Sequence, residues 1–438
     1  MAGGNFTIQN KVRPGVYVNF ESAPKAVGTL GERGVVSLPL VLSWGEPKVM
    51  TMIEAGEDTM DKLGYPITDP SLLLVREALK RARKLLLYRV NTGTKAAVTT
   101  GNLTATAKWG GVRGNNLSIV IAANVDDENR FDVKTLLNGD EVDVQTVSAI
   151  ADLAANDWVV FSGTGALDAT AGAPLSGGSD GAASNQDYLD YLAAVETQDC
   201  NTIALPTSDP TMKGVFVSFC KRLRDDEGKK IQVVLENDPS ADYEGVISVK
   251  NGVILDDGTA LTAAQATAWV AGATAAAQVN QSLTYAAYDG AVDVSPRYTN
   301  SQIAAALQAG EFVFTANNGR ALVEQDINTL TGFTPLKNGA FAKNRVIRVL
   351  DGISNDFLRI FSNFYLGKVS NNDDGRNLLK GECIRYLQSL QALGAVQNFN
   401  AQTDIAVLAG TGPEAVVIET AVQPVDAIEK IYVTVTVG

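Results

Sequence analysis

A β-rich interruption between two stretches of alternating strand and helix constrains this chain more than any other feature. From Lys95 to about residue 160, Thr, Val, Asn and Gly dominate. Short alternating runs follow one another there: Leu103 to Trp109, Leu117 to Ala122, Phe131 to Leu137 and Glu141 to Val147. Gly110, Gly111, Gly114 and Gly139 punctuate them. Strands of this length and spacing predict an inserted β-sandwich. Residues 162–184, mostly Gly, Ala, Ser and Thr, read as a flexible connection or surface loop.

On either side the pattern belongs to a layered α/β protein. Upstream come a short strand Val16 to Phe20 behind Arg13-Pro14-Gly15, a Gly-, Pro- and Ala-containing loop at 21–34, and an apolar run Val35 to Trp44. Ser71 is placed to cap a helix from Leu72 to Lys84, and Leu85 to Val90 reads as a buried strand. Downstream, helices Gln186 to Val195, Thr211 to Arg224, Thr262 to Asn280 and Ser301 to Ala309 alternate with strands. Those strands are Thr202 to Leu205, Ile231 to Leu235 and Phe312 to Ala316, an order that favours a largely parallel sheet. From Pro335, Arg345 to Leu350 alternates like a strand. Helices Ser354 to Leu366 and Asn377 to Leu393 and strands Ile405 to Leu408 and Ala415 to Ala421 follow. A chain of 438 residues exceeds one ordinary core. The pattern divides it into 1–94, 95–180, 181–334 and 335–438.

The final run repeats the alternation. Ile431, Val433, Val435 and Val437 share one face, and Tyr432, Thr434 and Thr436 the other. Near the opposite end, Val16, Val18 and Phe20 share a face against Tyr17 and Asn19. Two readings stand for such terminal strands: they close the chain's own sheet, or they add to a neighbour's.

Composition removes several chemistries. The chain has no histidine, so Ser-His-Asp and Cys-His mechanisms are unavailable within it and the commonest zinc ligand is missing. Cys200, Cys220 and Cys383, odd in number and far apart, argue for reduced, buried thiols rather than a disulfide framework. No apolar run reaches the ~20 residues of a membrane helix. Met1-Ala2-Gly3-Gly4-Asn5 lacks the features of a signal peptide, so the expectation is synthesis in a cytoplasm, without membrane insertion.

A net charge of -13 disfavours a nucleic-acid-binding body. The charge is uneven: residues 95–180 carry 5 basic and 11 acidic side chains, residues 337–385 carry 9 basic and 5 acidic. The basic side chains there form two clusters, Lys343, Arg345 and Arg348, then Arg376, Lys380 and Arg385. The second is spaced to lie along roughly one flank of a helix, either solvated or facing a partner.

Two ligand-like motifs fail. Gly110-Gly111-Val112-Arg113-Gly114 precedes a strand rather than the helix N-terminus a phosphate needs. Asn371-Asn372-Asp373-Asp374-Gly375 would place Gly381 where a calcium loop requires Glu, and reads instead as a turn and helix start. No cofactor, metal or catalytic residue is expected.

Four short segments, in order along the chain, carry a resemblance. They are Arg13-Pro14-Gly15-Val16-Tyr17, Gly114-Asn115-Asn116-Leu117-Ser118, Asn344 to Asp351, and Val425-Asp426-Ala427-Ile428-Glu429-Lys430-Ile431-Tyr432-Val433. With them the chain resembles the tail sheath proteins of contractile bacteriophages and of phage-tail-like bacteriocins.

The resemblance implies a multidomain α+β and α/β fold. Its parts are an N-terminal α/β domain, an inserted β-sandwich, a subtilisin-like α/β core, and a C-terminal α+β domain ending in exposed β-strand arms. It further implies a structural subunit of stacked hexameric rings around a tail tube, with baseplate and tail terminator proteins as further partners. Val16, Tyr17, Val18 and Phe20 with Ile431, Tyr432, Val433, Val435 and Val437 would join neighbouring subunits, the stretches 21–34 and 409–424 would act as hinges, and Arg376, Lys380 and Arg385 would face the tube. Alternatives are another self-assembling shell protein, or a soluble α/β binding module or enzyme.

Overall fold

The computed structural model describes residues 30–437, together with the backbone of two short strands, Ala2–Gly4 and Gly15–Tyr17. Its centre is a seven-stranded sheet. The strands lie in the order Glu311–Phe312, Val246–Val249, Gln232–Glu236, Thr202–Ala204, Val35–Leu40, Lys84–Arg89 and Met50–Glu54. Every pairing is parallel except that of Met50–Glu54 with Lys84–Arg89. Strands from the first and third sequence segments therefore share one sheet, and the β-rich segment interrupts it.

Both faces are covered, as the continuous apolar runs of parallel strands require. On one face the helix Ala263–Ala276 crosses the sheet with nearly all of its side chains buried. A helix apolar all round suits only a fully enclosed position. At Gly272 a side-chain carbon would lie 2.2 Å from the carbonyl oxygen of Ala78, so only glycine allows this approach to the helix Leu73–Leu79. On the other face Tyr191, Leu192 and Val195 of Asn185–Glu196 pack with Met212, Phe216 and Cys220 of Pro210–Lys221.

Two antiparallel sheets make the insert. One orders Asp140–Val147, Phe131–Leu137, Leu117–Ala123 and Thr170–Pro174; the other orders Val159–Gly163, Leu103–Ala107 and Ala97–Thr100. Their inward residues, including Leu103, Ala105, Ile119, Ile121, Val133 and Val159, share one core, which is the expected sandwich. The stretch 162–184 is not a loose connection. Its strand Thr170–Pro174 pairs with Leu117–Ala123, and Gly178 and Asn115 exchange hydrogen bonds of 2.8 and 2.9 Å.

The glycine-rich motif is a joint. Arg89 donates to the carbonyls of Gly45 (2.7 Å) and Gly110 (2.6 Å), and Arg113 donates to Gly64 (2.7 Å) while stacking over Tyr65.

Three expectations need correction. Arg345 to Leu350 is not a strand but the opening of the helix Asn344–Phe364. Its apolar positions, Val346, Val349, Ile353, Phe357 and Ile360, recur at helical spacing over a longer window than the alternation. Asp69, not Ser71, caps the next turn by accepting the Ser71 amide at 2.8 Å, and the following helix, Leu73–Leu79, stops well before Lys84. The predicted strand Phe312 to Ala316 is split: Glu311–Phe312 joins the main sheet and Phe314–Asn317 pairs with Arg320–Val323.

Candidate assembly surface

The C-terminal unit is built on two long helices, Asn344–Phe364 and Asp373–Ala392, around Val349, Ile360, Tyr386, Leu387 and Leu390. Charged and polar contacts fasten the first of these to the α/β body. Asn344 donates to Asp326 at 3.0 Å and accepts from Gln232 at 3.0 Å. Arg224 holds Asp351 through two bonds of 2.7 and 2.8 Å, and Arg348 pairs with Asp326, each side chain 1 % exposed. Burial opposes the charge on Arg224, yet the Asp351 carboxylate outweighs it and raises its pKa. Buried pairs of this kind are costly to break and geometrically demanding.

The second helix starts where the acidic turn was read as a helix start. Asn372 accepts the Gly375 amide at 2.9 Å, with Asp373 and Asp374 in the first turn. Arg376 bonds Asn371 and Asp373, Arg385 bonds Glu382 one turn earlier, and Lys380 is half-buried between them. The three cations do share this helix, and two of them have a carboxylate partner.

After this helix the chain forms a hairpin, Ile405–Ala409 with Val416–Thr420, in a sheet of only two strands. Ile405 and Ile418 pack against the helices, while Leu408 and Val417 stay nearly half exposed. The stretch 409–424, expected as a hinge, therefore contains one of the paired strands. Gln423–Pro424 then pairs with Val396–Gln397, and the Val425 amide donates to Ala395 at 2.9 Å.

The last fixed point is Glu429. Its carboxylate accepts from Thr284 Oγ1 (2.8 Å) and Gln325 Nε2 (2.5 Å), and forms an ion pair with Lys343. Burial pushes the Glu429 carboxyl up, but these three donors outweigh it and hold the group below its ordinary value. Glu429 and Lys430 also wall a cleft of about 440 Å³ with Thr284, Tyr285 and Leu307. Of the residues around Glu429, the sequence marks only Lys343, as a member of a basic cluster; Thr284 and Gln325 carry no signal. The signal was present in the segment Val425 to Val433, whose one inward carboxylate follows the exposed Ile428.

Beyond Lys430 the expected terminal strand does not form in the isolated subunit. Residues 431–437 have no ladder partner among the described residues. Ile431, Tyr432, Val433, Val435 and Val437 are 78–90 % exposed. At the other end Gly15–Tyr17, carrying Val16 and Tyr17, pairs in parallel with Ala2–Gly4 of the same chain. Val18, Phe20 and most of the 21–34 hinge stretch lie outside the described residues.

Among the described residues, no group of three or more acidic or cysteine side chains could hold a metal ion. The three cysteines are unpaired and buried, and burial pushes each thiol up to about 12, which suppresses the nucleophilic thiolate. Among the described residues no helix is long and apolar enough to cross a membrane.

Family models match the chain in four consecutive blocks. Residues 33–90 match the Tail sheath protein Gp18 domain III N-terminal region, and 91–180 the phage tail sheath protein beta-sandwich domain. Residues 181–329 match the phage tail sheath protein central domain, and 337–438 the phage tail sheath C-terminal domain. The sheath tail protein of Desulfitobacterium hafniense is 68% identical, with a TM-score of 0.89 over 96% of this chain and 99% of that one. The Phage-like element PBSX protein XkdK of Bacillus subtilis (strain 168) is 43% identical over 100% of both chains. The helical sheath of the anti-feeding prophage in its contracted state shares the fold at 15% identity, with a TM-score of 0.57 over 97% of this chain and 99% of that one. With family models across nearly all of it and relatives of this identity over its whole length, the chain belongs to the phage tail sheath protein family.

Proposed function

We propose that this chain is the repeating subunit of a contractile sheath, a structural protein rather than an enzyme. It polymerises as stacked hexameric rings around a tail tube and shortens to drive that tube through a target envelope. The observation that carries this reading is the unpaired run Ile431 to Val437, an alternating strand that leaves both its backbone groups and its apolar face in water. Such a segment is completed by adding to a sheet edge. A two-stranded hairpin such as Ile405–Ala409 with Val416–Thr420 offers edges of the required kind. Val16, Tyr17, Val18 and Phe20 serve as the second arm.

Each join contributes a few backbone hydrogen bonds, at about 0.5–1.5 kcal/mol apiece. Repetition around a ring makes the mesh strong through effective concentration. Contraction then needs no nucleotide, because an extended lattice relaxes to one that buries more interface.

On this reading the α/β body is the subtilisin-like core domain of the sheath fold, flanked by an N-terminal domain at 1–94 and a C-terminal domain at 335–438. Arg376, Lys380 and Arg385 face the tube, and baseplate and tail terminator proteins bound the polymer. The particle is a virion tail or a bacteriocin-like relative, assembled in the host cytoplasm, with no direct contact to nucleic acid or membrane.

Deleting residues 431–438 tests the proposal. The variant is expected to fold with an unchanged thermal midpoint and to yield no striated tubes by negative-stain imaging. Tubes formed as by the intact chain would refute the arm reading. Charge reversal of Arg376, Lys380 and Arg385 together is expected to abolish assembly on purified tubes at low salt; normal assembly would remove them from the tube surface.

A further inference from the structure

The segment that leads into the C-terminal arm is inside out. Ile428 is 85% exposed and Ile431 79% exposed, while Glu429 between them is turned inward, its side chain 12% exposed. A tail docked for stability would bury the isoleucine and leave the carboxylate in water. Between Ile428 and Ile431 the one side chain turned inward is the charged one, Glu429. Its three partners come from three separate segments: Thr284 beyond the central helix, Gln325 beyond the hairpin Phe314–Asn317 and Arg320–Val323, and Lys343 before the helix Asn344–Phe364. Thr284 also accepts the amide of Asp326 at 3.0 Å, and Asp326 is the partner of Arg348. The root of the arm is therefore wired into the same polar network that fastens the C-terminal unit to the body.

We infer that Glu429 is a positioning residue for assembly: its clamp by Lys343, Gln325 and Thr284 fixes the direction in which Ile431 to Val437 leaves the body, and so where a second copy of this chain docks. The inference rests on the arm reading above. Seven extended residues span roughly 23 Å, so a swing of about 30° at the root would move the far end by roughly 12 Å. Adjacent strands in a sheet are only about 4.8 Å apart, so such a swing misses the receiving edge altogether. A charge-assisted, three-point contact restricts direction in a way that a lone apolar contact does not. The cleft walled by Tyr285, Leu307 and Lys430 lies beside this exit and would be covered by the copy that takes the arm.

Full-length Glu429→Ala and Lys343→Glu variants, the Lys343→Glu/Glu429→Lys exchange and the 431–438 deletion would be compared by thermal melting and by sedimentation of polymer. The single variants are expected to stay folded, losing only the modest stability this contact gives, and to yield about tenfold less polymer or worse, a factor equivalent to about 1.4 kcal/mol. The exchange, which restores the ion pair in reverse, is expected to recover polymer. Parent-like polymer from Glu429→Ala, with the deletion still inactive, would overturn the clamp and leave the arm intact. Polymer from the deletion would instead overturn the arm reading beneath it. An exchange that folds but does not recover assembly also overturns the clamp. Should Glu429→Ala fail to fold, Gln325→Ala keeps the ion pair and is expected to lower the polymer yield; an unchanged yield would count against the clamp.

Discussion

Phe131–Leu137 and Ile431 to Val437 have the same kind of sequence, seven residues of alternating polarity, and opposite fates. The first lies between two partners, paired residue for residue with Leu117–Ala123 and, across a register shift between Glu141 and Asp143, with Asp140–Val147, and its Val133, Thr135 and Leu137 are buried. The second has no ladder and keeps every apolar side chain in water. Alternation thus specifies that a strand has two faces, but not whose edge it meets. The partner is supplied by what surrounds the run. In the insert, tight turns such as Asn138-Gly139, both at positive φ, bring the next strand back at once. After Glu429 no such turn follows, and the run stays open.

The sharpest way to break this comparison is to place the same charge in both runs. Val133→Asp buries an unpaired carboxylate at a site 1% exposed, at an expected cost of several kcal/mol, and the insert should unfold in a thermal melt. Val433→Asp should leave the melt untouched and remove polymer; a lower midpoint for it would show that the arm already packs on its own subunit.

Next in size is Arg348→Ala, which leaves the buried Asp326 carboxylate its hydrogen bonds from Asn344 and Leu283 but no counter-charge. It should cost about 3–5 kcal/mol in denaturant unfolding, whereas the exposed run offers no site of that sensitivity. Asp69→Ala, the loss of one cap far from either run, should cost about 1 kcal/mol and leave assembly unchanged.

The smallest effect is that of pH on Glu429. Its pKa is lowered in the folded chain, so the stabilisation it gives is complete above its unfolded pKa and is lost as pH falls through the folded value. Nuclear magnetic resonance of the labelled Glu429 carboxyl should show that depressed titration, and an ordinary midpoint would mean the clamp is not formed in solution.

Local pattern carried much of this fold. Four strands of the insert, Leu103–Ala107, Leu117–Ala123, Phe131–Leu137 and Asp140–Val147, lie within one or two residues of the expected runs because each alternates, whereas Ala97–Thr100, Val159–Gly163 and Thr170–Pro174 carry no such signal and were not expected. Helix Asn344–Phe364 was misread at its start because the six residues Arg345 to Leu350 fit a period of two as well as one of 3.6. That the strands of 35–89 and 202–312 share a sheet could not be read locally at all, since parallel pairing leaves no turn signal. Strands Gly252–Leu255 and Ala291–Ser295 were passed over for a related reason: each is short and flanked by strong helix signals. Of the assembly surface, the exposed run was legible as a pattern. Its clamp was not, because Thr284, Gln325 and Lys343 meet Glu429 across 86–145 residues of chain.

The interrupted sheet sets a timetable for synthesis. Val35–Leu40 has the strand Thr202–Ala204 as one neighbour, and that strand is made about 160 residues later. At about 5–20 residues per second, the ribosome needs roughly 10–30 s to deliver it. The insert pairs largely with sequence neighbours and closes during that interval, while one edge of Val35–Leu40 waits unpaired. Local contacts form faster than distant ones, so the sandwich is the first part of this subunit to become native and the sheet that encloses it in sequence is among the last.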